Sequence, residues 1–495
     1  MDEQNELLTR MLTAASASSK AIADKAFELE VGQNLLGLEG AILETVLRLG
    51  AIWLGLILSQ WGTHLAEKTG TRLACGCGGK ARWVEQRAKT VLTLLGRVRY
   101  QRVYYHFASC HNGEGLGDRQ WGLHHTRTSL ALKHLLGYLS GTIVGFAVVA
   151  GTVCRTLRWP ENWLSGKQVQ RLAEPIGTAL GEAERAQIAR WWELALAGIG
   201  QPEIPPVALA SPPGMTDVPN PADKRLYLQM DGIFGRIRGS LGKGSDVWRE
   251  VKVGAVFWAE PGRHLSTLSE LLGHPREAGE TARVWVDRPM RAIRYVAGLM
   301  PAAELGFRLY AEALAQGMAQ AAEVVILADG APWIWKLVEE HFPDAIQILD
   351  FHHARDWVYQ VGAAVFGAGS AKATAWIETQ IREHLVKGDA FGLIAAIAAL
   401  PEVAPPQGET KSLPEQAMEY FQNNAERMHY SAYRARGLEI GSGIIESVGR
   451  RVVGVRCKQP GMRWTEDGLS AIVTLRTNAL NDAYDSAVAA LQKAA

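Results

Sequence analysis

Cysteine is scarce in this chain, five residues in 495. That number builds no disulfide framework, and it fits a reducing cytosol. A surplus of charge is missing too. Lys and Arg number 52 against 51 Asp and Glu, a net charge of +1, so bulk charge argues neither for nor against a polyanionic partner. No long apolar run is free of charges either. The longest, residues 35 to 61, contains Glu39, Glu44 and Arg48. Those charges are costly inside a bilayer, so a buried or self-associating helix is expected there and no membrane partner. The opening MDEQNELLTR is acidic and lacks the basic stretch of a secretory signal. Internal repeats and low-complexity tracts are absent. At 495 residues, 47% hydrophobic and 21% charged, the chain reads as a soluble protein of two to four domains.

What the chain does contain is uneven. Between 71 and 133 there are eleven Lys/Arg against three acids, Glu85, Glu114 and Asp118. Between 447 and 464, Arg450, Arg451, Arg456, Lys458 and Arg463 meet no acid at all. Basic stretches of this kind suit a phosphate backbone. Residues 1–70 read as helical, and 71–127 as a β unit in which KTVLTLL, Gly96 and RVRYQRVYYHF form a hairpin. Residues 128–200 return to helix, with Ser165 able to cap a third segment bearing Lys167 and Arg171. A helix-turn-helix and a plain three-helix packing unit fit that region equally. The proline-rich 201–223 reads as a linker. Strands follow from 225, helices around 288–320, a β-α-β unit through VVILADG and AIQILDF, and helix throughout 353–438.

The chemistry is concentrated at three carboxylates. RLYLQM (225–230) and VVILA (324–328) are short and apolar, so both are predicted core strands. Asp231-Gly232 and Asp329-Gly330 come directly after them. An Asp just past a strand end projects at the carboxyl edge of the sheet, where α/β folds place their sites. Asp329-Gly330 runs through Ala-Pro into a helix; Asp231-Gly232 is also compatible with a strand that continues to a later turn. Glu446 sits in IGSGIIES, a helix start whose glycines permit close backbone approach. Three such carboxylates repel one another unless hard cations lie between them, and Mg²⁺ prefers oxygen ligands of this kind. Asp350 and His353, three apart after AIQIL, read either as a cap with a solvated histidine or as a brace for the site.

DGIFGR, ILADGAPWIWKLVEEHFPDAIQILDFHHARD and GSGIIESVGRRVVGVRCKQPGMRW closely resemble the DDE transposases of bacterial insertion sequences of the ISKra type. The resemblance implies an α/β RNase H-like catalytic domain, 224–352 with 439–480, interrupted by an all-helical insertion, 353–438. It implies Asp231, Asp329 and Glu446 as catalytic triad and ligands of two Mg²⁺ (or Mn²⁺) ions, with Asp350 and His353 matching an Asp-x-x-His signature and supporting the triad. Trp333 also fits the family pattern. The implied reaction is metal-dependent cleavage at transposon ends followed by strand transfer, without a covalent protein intermediate. Arg450, Arg451, Arg456, Lys458 and Arg463 would then grip phosphates, and Trp464 would either stack on an unpaired base or fill the core. Lys167 and Arg171 would face DNA in the helix-turn-helix reading.

The family pattern also implies a zinc-ribbon-like unit at 71–127. Here Cys75, Cys77 and Cys110 are present, but Phe107 stands where a fourth cysteine is expected. Structural zinc takes four ligands, so His106 or His111 would have to complete the set, or the unit has lost its metal. Expected partners are double-stranded DNA, as terminal inverted repeats and target, and further copies of the chain, since two ends must be held together. The last residues, 481–495, read as a tail. Two other classes share the signature: a catalytically silent DNA-binding descendant, and an RNase H-like nuclease or resolvase.

Overall fold

The computed structural model describes residues 3–28, 35–70, 72–74, 80–107, 110–196, 224–239, 246–266 and 284–494. The expected linker, 201–223, lies outside the described residues. The chain divides into two compact units, Met1–Ile176 and Gly177–Ala495.

In the first unit, α1 (Glu3–Glu28) packs on α2 (Leu35–Thr69), where the Trp53 indole donates to the Met11 carbonyl at 3.1 Å. A four-stranded antiparallel sheet follows, β1 (Arg72–Ala74), β2 (Lys80–Thr93), β3 (Gly96–Phe107) and β4 (Asn112–Gly115). The expected hairpin is β2–β3, closing at Thr93 and Gly96, whose φ of +105° suits the absent side chain. Along β3, Val98 and Tyr100 are buried while Arg97 and Arg99 are exposed, the alternation of a one-sided sheet. Gly55 of α2 lies so close to β3 that an added Cβ would stand 2.4 Å from the Arg99 carbonyl oxygen.

Of the two alternatives for residues 35–61, a buried or a self-associating helix, the buried one is corrected here. Only Ala51, Gly55, Leu58 and Gly62 of α2 are buried; Leu35, Leu36, Ile42, Leu43, Val46, Ile52 and Trp61 are exposed. Among the described residues α2 is the one helix long and apolar enough, by length and composition, to cross a membrane. The reason for its partial burial is that a helix can lay only one narrow stripe against a twisted hairpin. Next come α3 (Leu130–Thr142), α4 (Phe146–Thr156) and α5 (Gly166–Leu196). Leu132, Leu136, Val149, Val153 and Val169 form their common core. Ser165 and Gln168 cap α5 reciprocally: the Ser165 hydroxyl accepts from the Gln168 amide at 3.3 Å, and the Gln168 side chain accepts from the Ser165 amide at 2.8 Å. The division between the two units falls inside this 31-residue helix and not at the proline-rich segment.

The second unit is built on a five-stranded mixed sheet of order β7-β6-β5-β8-β9, compatible with an RNase H-like fold. Its strands are β5 (Arg225–Ile237), β6 (Val247–Ser266), β7 (Val284–Gly298), β8 (Glu323–Ala328) and β9 (Ile346–Leu349). β5, β6 and β7 pair antiparallel, while β8 and β9 join β5 in parallel. Leu226, Leu228, Val325, Ile326, Leu327 and Ile348 are fully buried, as expected for parallel strands covered on both faces. Of the two helical segments expected around 288–320 the first is overturned: Val284–Gly298 is a strand paired with β6, and only Ala302–Ala315 is a helix. The apolar spacing of that strand suits a helix, but the edge of β6 supplies backbone partners along much of the segment, and Arg294 turns inward to meet Glu312 at 3.0 Å.

Helix α6 (Ala302–Ala315) precedes β8, and α7 (Pro332–His341) connects β8 to β9. Beyond β9 the chain is helical: α8 (Phe351–Phe366), α9 (Ala371–Gln380), α10 (Ala390–Ala398), α11 (Leu413–Asn424) and α12 (Tyr430–Ala435). It then returns to the sheet with α13 (Gly443–Gly449), runs on through a π-helical turn at Arg450–Gly454 and Val455–Cys457, and ends with α14 (Glu466–Leu480) and α15 (Tyr484–Ala494).

Candidate active site

Strand register creates the site. Met230 of β5 lies opposite Ala328 of β8, and Ala328 lies opposite Leu349 of β9. The next residue on each strand is an aspartate: Asp231, Asp329 and Asp350. Hydrogen-bonded strands are about 4.8 Å apart, so the three residues form a row across the carboxyl edge. Each carboxylate is then fixed by a different local bond. Asp231 accepts from the amide of Gly232 at 2.6 Å, and Asp329 from the amide of Ala331 at 2.9 Å, a turn that delivers the chain to Pro332 at the start of α7. Asp350 is fully buried. It caps α8 by accepting from the His353 amide at 2.6 Å, it meets the His353 ring nitrogen Nδ1 at 3.1 Å, and its other oxygen accepts from the Ser442 amide.

Asp231 differs from expectation in one respect. It does not lie past the end of its strand: β5 continues to Ile237, and Asp231 pairs with Val253. Only the parallel partner β8 stops there, because β6 goes on offering hydrogen bonds. Gly232 is required for a reason its sequence context does not reveal. A Cβ at that position would stand 1.8 Å from a carboxylate oxygen of Glu250, which folds over the strand and is held by Lys252 at 2.8 Å. Lys252 in turn sits 3.8 Å from the ring centre of Trp333. Glu250 and Lys252 were not legible as site residues; only the glycine hinted at a close approach. Tyr420 of the helical insertion was equally silent. Its ring closes over Gly330, where an added Cβ would meet it at 2.1 Å.

The electrostatics are those of crowded carboxylates beside one cation. Burial, and then the charge of Asp329, push the Asp231 carboxyl above its ordinary value, against the opposing Gly232 amide and His353. His353 is pushed up to about 9, first by its bond to Asp350 and then, against desolvation, by the charges of Asp350, Asp329 and Asp231. Burial acts to raise Asp350, but the bonds from His353 and Ser442 outweigh it and hold its carboxyl below the ordinary range. Burial and the charges of Asp329 and Asp350 also push the Tyr420 phenol upward, so it stays protonated. His353 is therefore an imidazolium at neutral pH in the metal-free protein. Its ring resonances, followed by NMR in the presence of a chelator, are expected to titrate near pH 9. Saturating Mg²⁺ should move that midpoint down, because a cation shared by Asp231 and Asp329 removes the negative charge His353 now feels. A midpoint that ignores Mg²⁺ would mean no cation binds beside it.

Asp231 and Asp329 supply hard oxygen donors under mutual repulsion, and Mg²⁺ is commonly held by one or two carboxylates with water or phosphate completing its shell. The pair fits such an ion. Among the described residues, no three His, Cys, Asp or Glu side chains stand close enough to share a single ion. Glu446 comes from a different element. It lies on α13 with Ile445, Val448 and Gly449 turned inward and its own side chain exposed. The helix carrying it is nonetheless pinned to this edge of the sheet. Its entry is held by the Asp350–Ser442 bond, and the Ile445 amide donates to the buried Gln229 side chain at 2.9 Å. Gly449 touches Ile233 of β5 so closely that a Cβ would stand 2.7 Å from it.

The basic stretch after Glu446 divides. Arg450, Lys458 and Arg463 are exposed or half-exposed, and Arg451 is exposed with its guanidinium 3.3 Å from the Tyr295 hydroxyl. Arg456 is a correction, and of the two readings of Trp464 the core one holds. Arg456 is fully buried, its guanidinium carbon 5.3 Å from the Trp464 ring centre. Trp464 is buried as well, with its indole donating to the Cys457 carbonyl at 2.9 Å and its backbone bridging β5. A phosphate grip by Arg456 and base stacking by Trp464 are not available in this arrangement. The π-helical turn at Arg450–Gly454 shifts the helix phase there. Lys167 and Arg171 lie four apart on one face of α5, both exposed. Cys75 and Cys77 lie outside the described residues; Cys110 is half-buried and packs against the cluster of Val103, Tyr105 and Phe107.

No protein-family model matches this chain, and no curated protein matches it. Among solved structures, a Drosophila P element transposase strand transfer complex is similar at 13% identity over 57% of this chain and 68% of that one, with a TM-score of 0.18. That likeness is slight, and the functional reading rests on the site.

Proposed function

We propose that this chain is a transposase that cleaves DNA strands at the ends of a mobile element and joins them to target DNA. The observation that carries the reading is the register placing Asp231 and Asp329 side by side at the carboxyl edge of the mixed sheet. In this proposal Asp231 and Asp329 hold Mg²⁺ or Mn²⁺, and Glu446 completes the triad from α13. Bound there, the cation supplies positive charge that polarises a phosphodiester and favours the attacking oxyanion. The remaining work belongs to the chain. Asp350 fixes both His353 and the entry to α13. The His353 imidazolium balances the two carboxylates before a cation arrives. Trp333 and Tyr420 wall the site, and the outward-facing Arg450, Arg451, Lys458 and Arg463 are available to phosphates. Assembly of two or more copies around paired DNA ends belongs to the same proposal.

The test is a reconstitution with duplexes carrying the DNA ends that border the coding sequence, with Mg²⁺, Mn²⁺ or chelator. Nicks at the element boundary and joined products, dependent on the metal, are expected. Cleavage without joining would make the chain an RNase H-like nuclease or resolvase. End binding without cleavage under either metal would make it a silent descendant.

A further inference from the structure

A second polar cavity lies in the first unit, between the β2–β3 hairpin and the segment 112–127. Its volume is about 260 Å³, and its wall includes Lys89, Arg102, Arg127, Asp118, Glu114 and His124. Asp118, 2% exposed, is its hub. That carboxylate accepts from the Tyr100 hydroxyl at 2.6 Å, from Lys89 at 2.9 Å and from Arg102. Two cations therefore share one buried anion, and a positive charge is left over. Lys89 gives a further proton to the Leu123 carbonyl at 2.6 Å. Nε of Arg102 is buried with no hydrogen-bond partner. The second acid does not cancel the excess: Glu114 is engaged by Arg119 at 3.2 Å and lies 3.7 Å from Nδ1 of His124.

The rim is built to the same end. Arg127 lies there, exposed. His125 sits in the left-handed region at φ +54°, with its ring centre 3.7 Å from that of His124. A histidine held in that conformation is sustained only by its surroundings, and such outliers gather at binding sites. Tyr104 is flanked by Arg87, 3.9 Å from its ring centre, and by Arg102 at 5.7 Å, which orients the guanidinium planes.

We propose that this cavity is a phosphate-binding pocket. Two basic side chains that share one buried carboxylate, with a rim arginine, around an open polar cavity match a tetrahedral oxyanion. The phosphate comes either from a nucleic-acid backbone or from solution. The proposal does not depend on the reading of Asp231 and Asp329.

The experiment uses the full chain and three variants, Arg127→Gln, Arg102→Gln and, as a control exposed on β3, Arg99→Gln. Calorimetric titration with inorganic phosphate and anisotropy with short DNA duplexes over a salt series are the two readouts. If the source is backbone phosphate, Arg127→Gln weakens duplex binding by about tenfold and lowers the slope of log affinity against log salt by about 1; added inorganic phosphate then competes. If the source is phosphate in solution, the heat of phosphate binding disappears in Arg127→Gln while duplex affinity matches wild type. Both results support the pocket. Equal phosphate heats and equal salt slopes in Arg127→Gln, Arg99→Gln and wild type overturn it. Arg102→Gln disturbs the Asp118 hub and can unfold the unit, so the deciding comparison is Arg127→Gln, whose side chain reaches solvent. Repeating the titrations in Asp329→Asn protein separates this site from the other, because loss of cleavage there leaves the phosphate readouts unchanged.

Discussion

Asp231→Asn and Asp329→Asn are each expected to lower Mg²⁺-dependent strand cleavage on the order of a thousandfold or more, because a cation ligand worth several kcal/mol of transition-state charge is removed. Asn keeps the shape of Asp and one acceptor for the Gly232 or Ala331 amide, so folding is preserved. What disappears is the negative charge. The same substitutions should stabilise the metal-free protein by about 1 kcal/mol, since the half-buried Asp231 carboxylate no longer faces Asp329. Activity falling while the metal-free denaturation midpoint rises is the signature of a site that stores repulsion for a cation. A fall in both would reduce the aspartates to structural residues. Glu446→Gln belongs in the same series. Its exposed side chain predicts an unchanged midpoint, and unimpaired cleavage would remove Glu446 from the proposed triad.

Asp350→Ala is expected to cost about 3 kcal/mol, read from the denaturant midpoint, the scale for breaking a buried charge pair. Its fully buried carboxylate serves three donors from two distant segments, so alanine leaves the His353 and Ser442 amides unsatisfied and the histidine cation without its partner. Asp350→Asn should cost less, because it keeps an acceptor for an amide, while His353 drops back toward its ordinary value of 6.5. The pH dependence follows from the two shifts. Asp350 is depressed, so its contribution is present above the ordinary carboxyl value of 3.8 and is lost as pH falls through its lower folded value. His353 is raised, so its contribution is full below 6.5 and fades as pH rises through about 9. The wild-type advantage over Asp350→Ala should therefore be greatest between those limits and shrink on the alkaline side. An advantage that is flat from about pH 6 to about pH 10 would mean that the His353–Asp350 bond contributes no charge.

The chain's local patterns determined a good part of this. Alternation in β3, the apolar runs of β5, β8 and β9, and the Gly96 turn are legible because side-chain period and backbone preference are local properties. For the same reason the aspartates stood out, each following a strand that the residues themselves announce. Tertiary structure decided the rest. Whether an Asp ends its strand depends on which neighbour keeps pairing, so Asp231 lies mid-strand while Asp329 leads into a turn. Val284–Gly298 became a strand because β6 offered an edge, which no local periodicity reports. Arg456 and Arg450 share one basic stretch, yet burial against Trp464 removes one and leaves the other to solvent. Gly232 makes room for Glu250, a residue of the neighbouring strand that antiparallel pairing brings across. Charge and hydropathy are written residue by residue; which charges end up adjacent, desolvated or shared is a property of distances, and distances exist only in the folded chain.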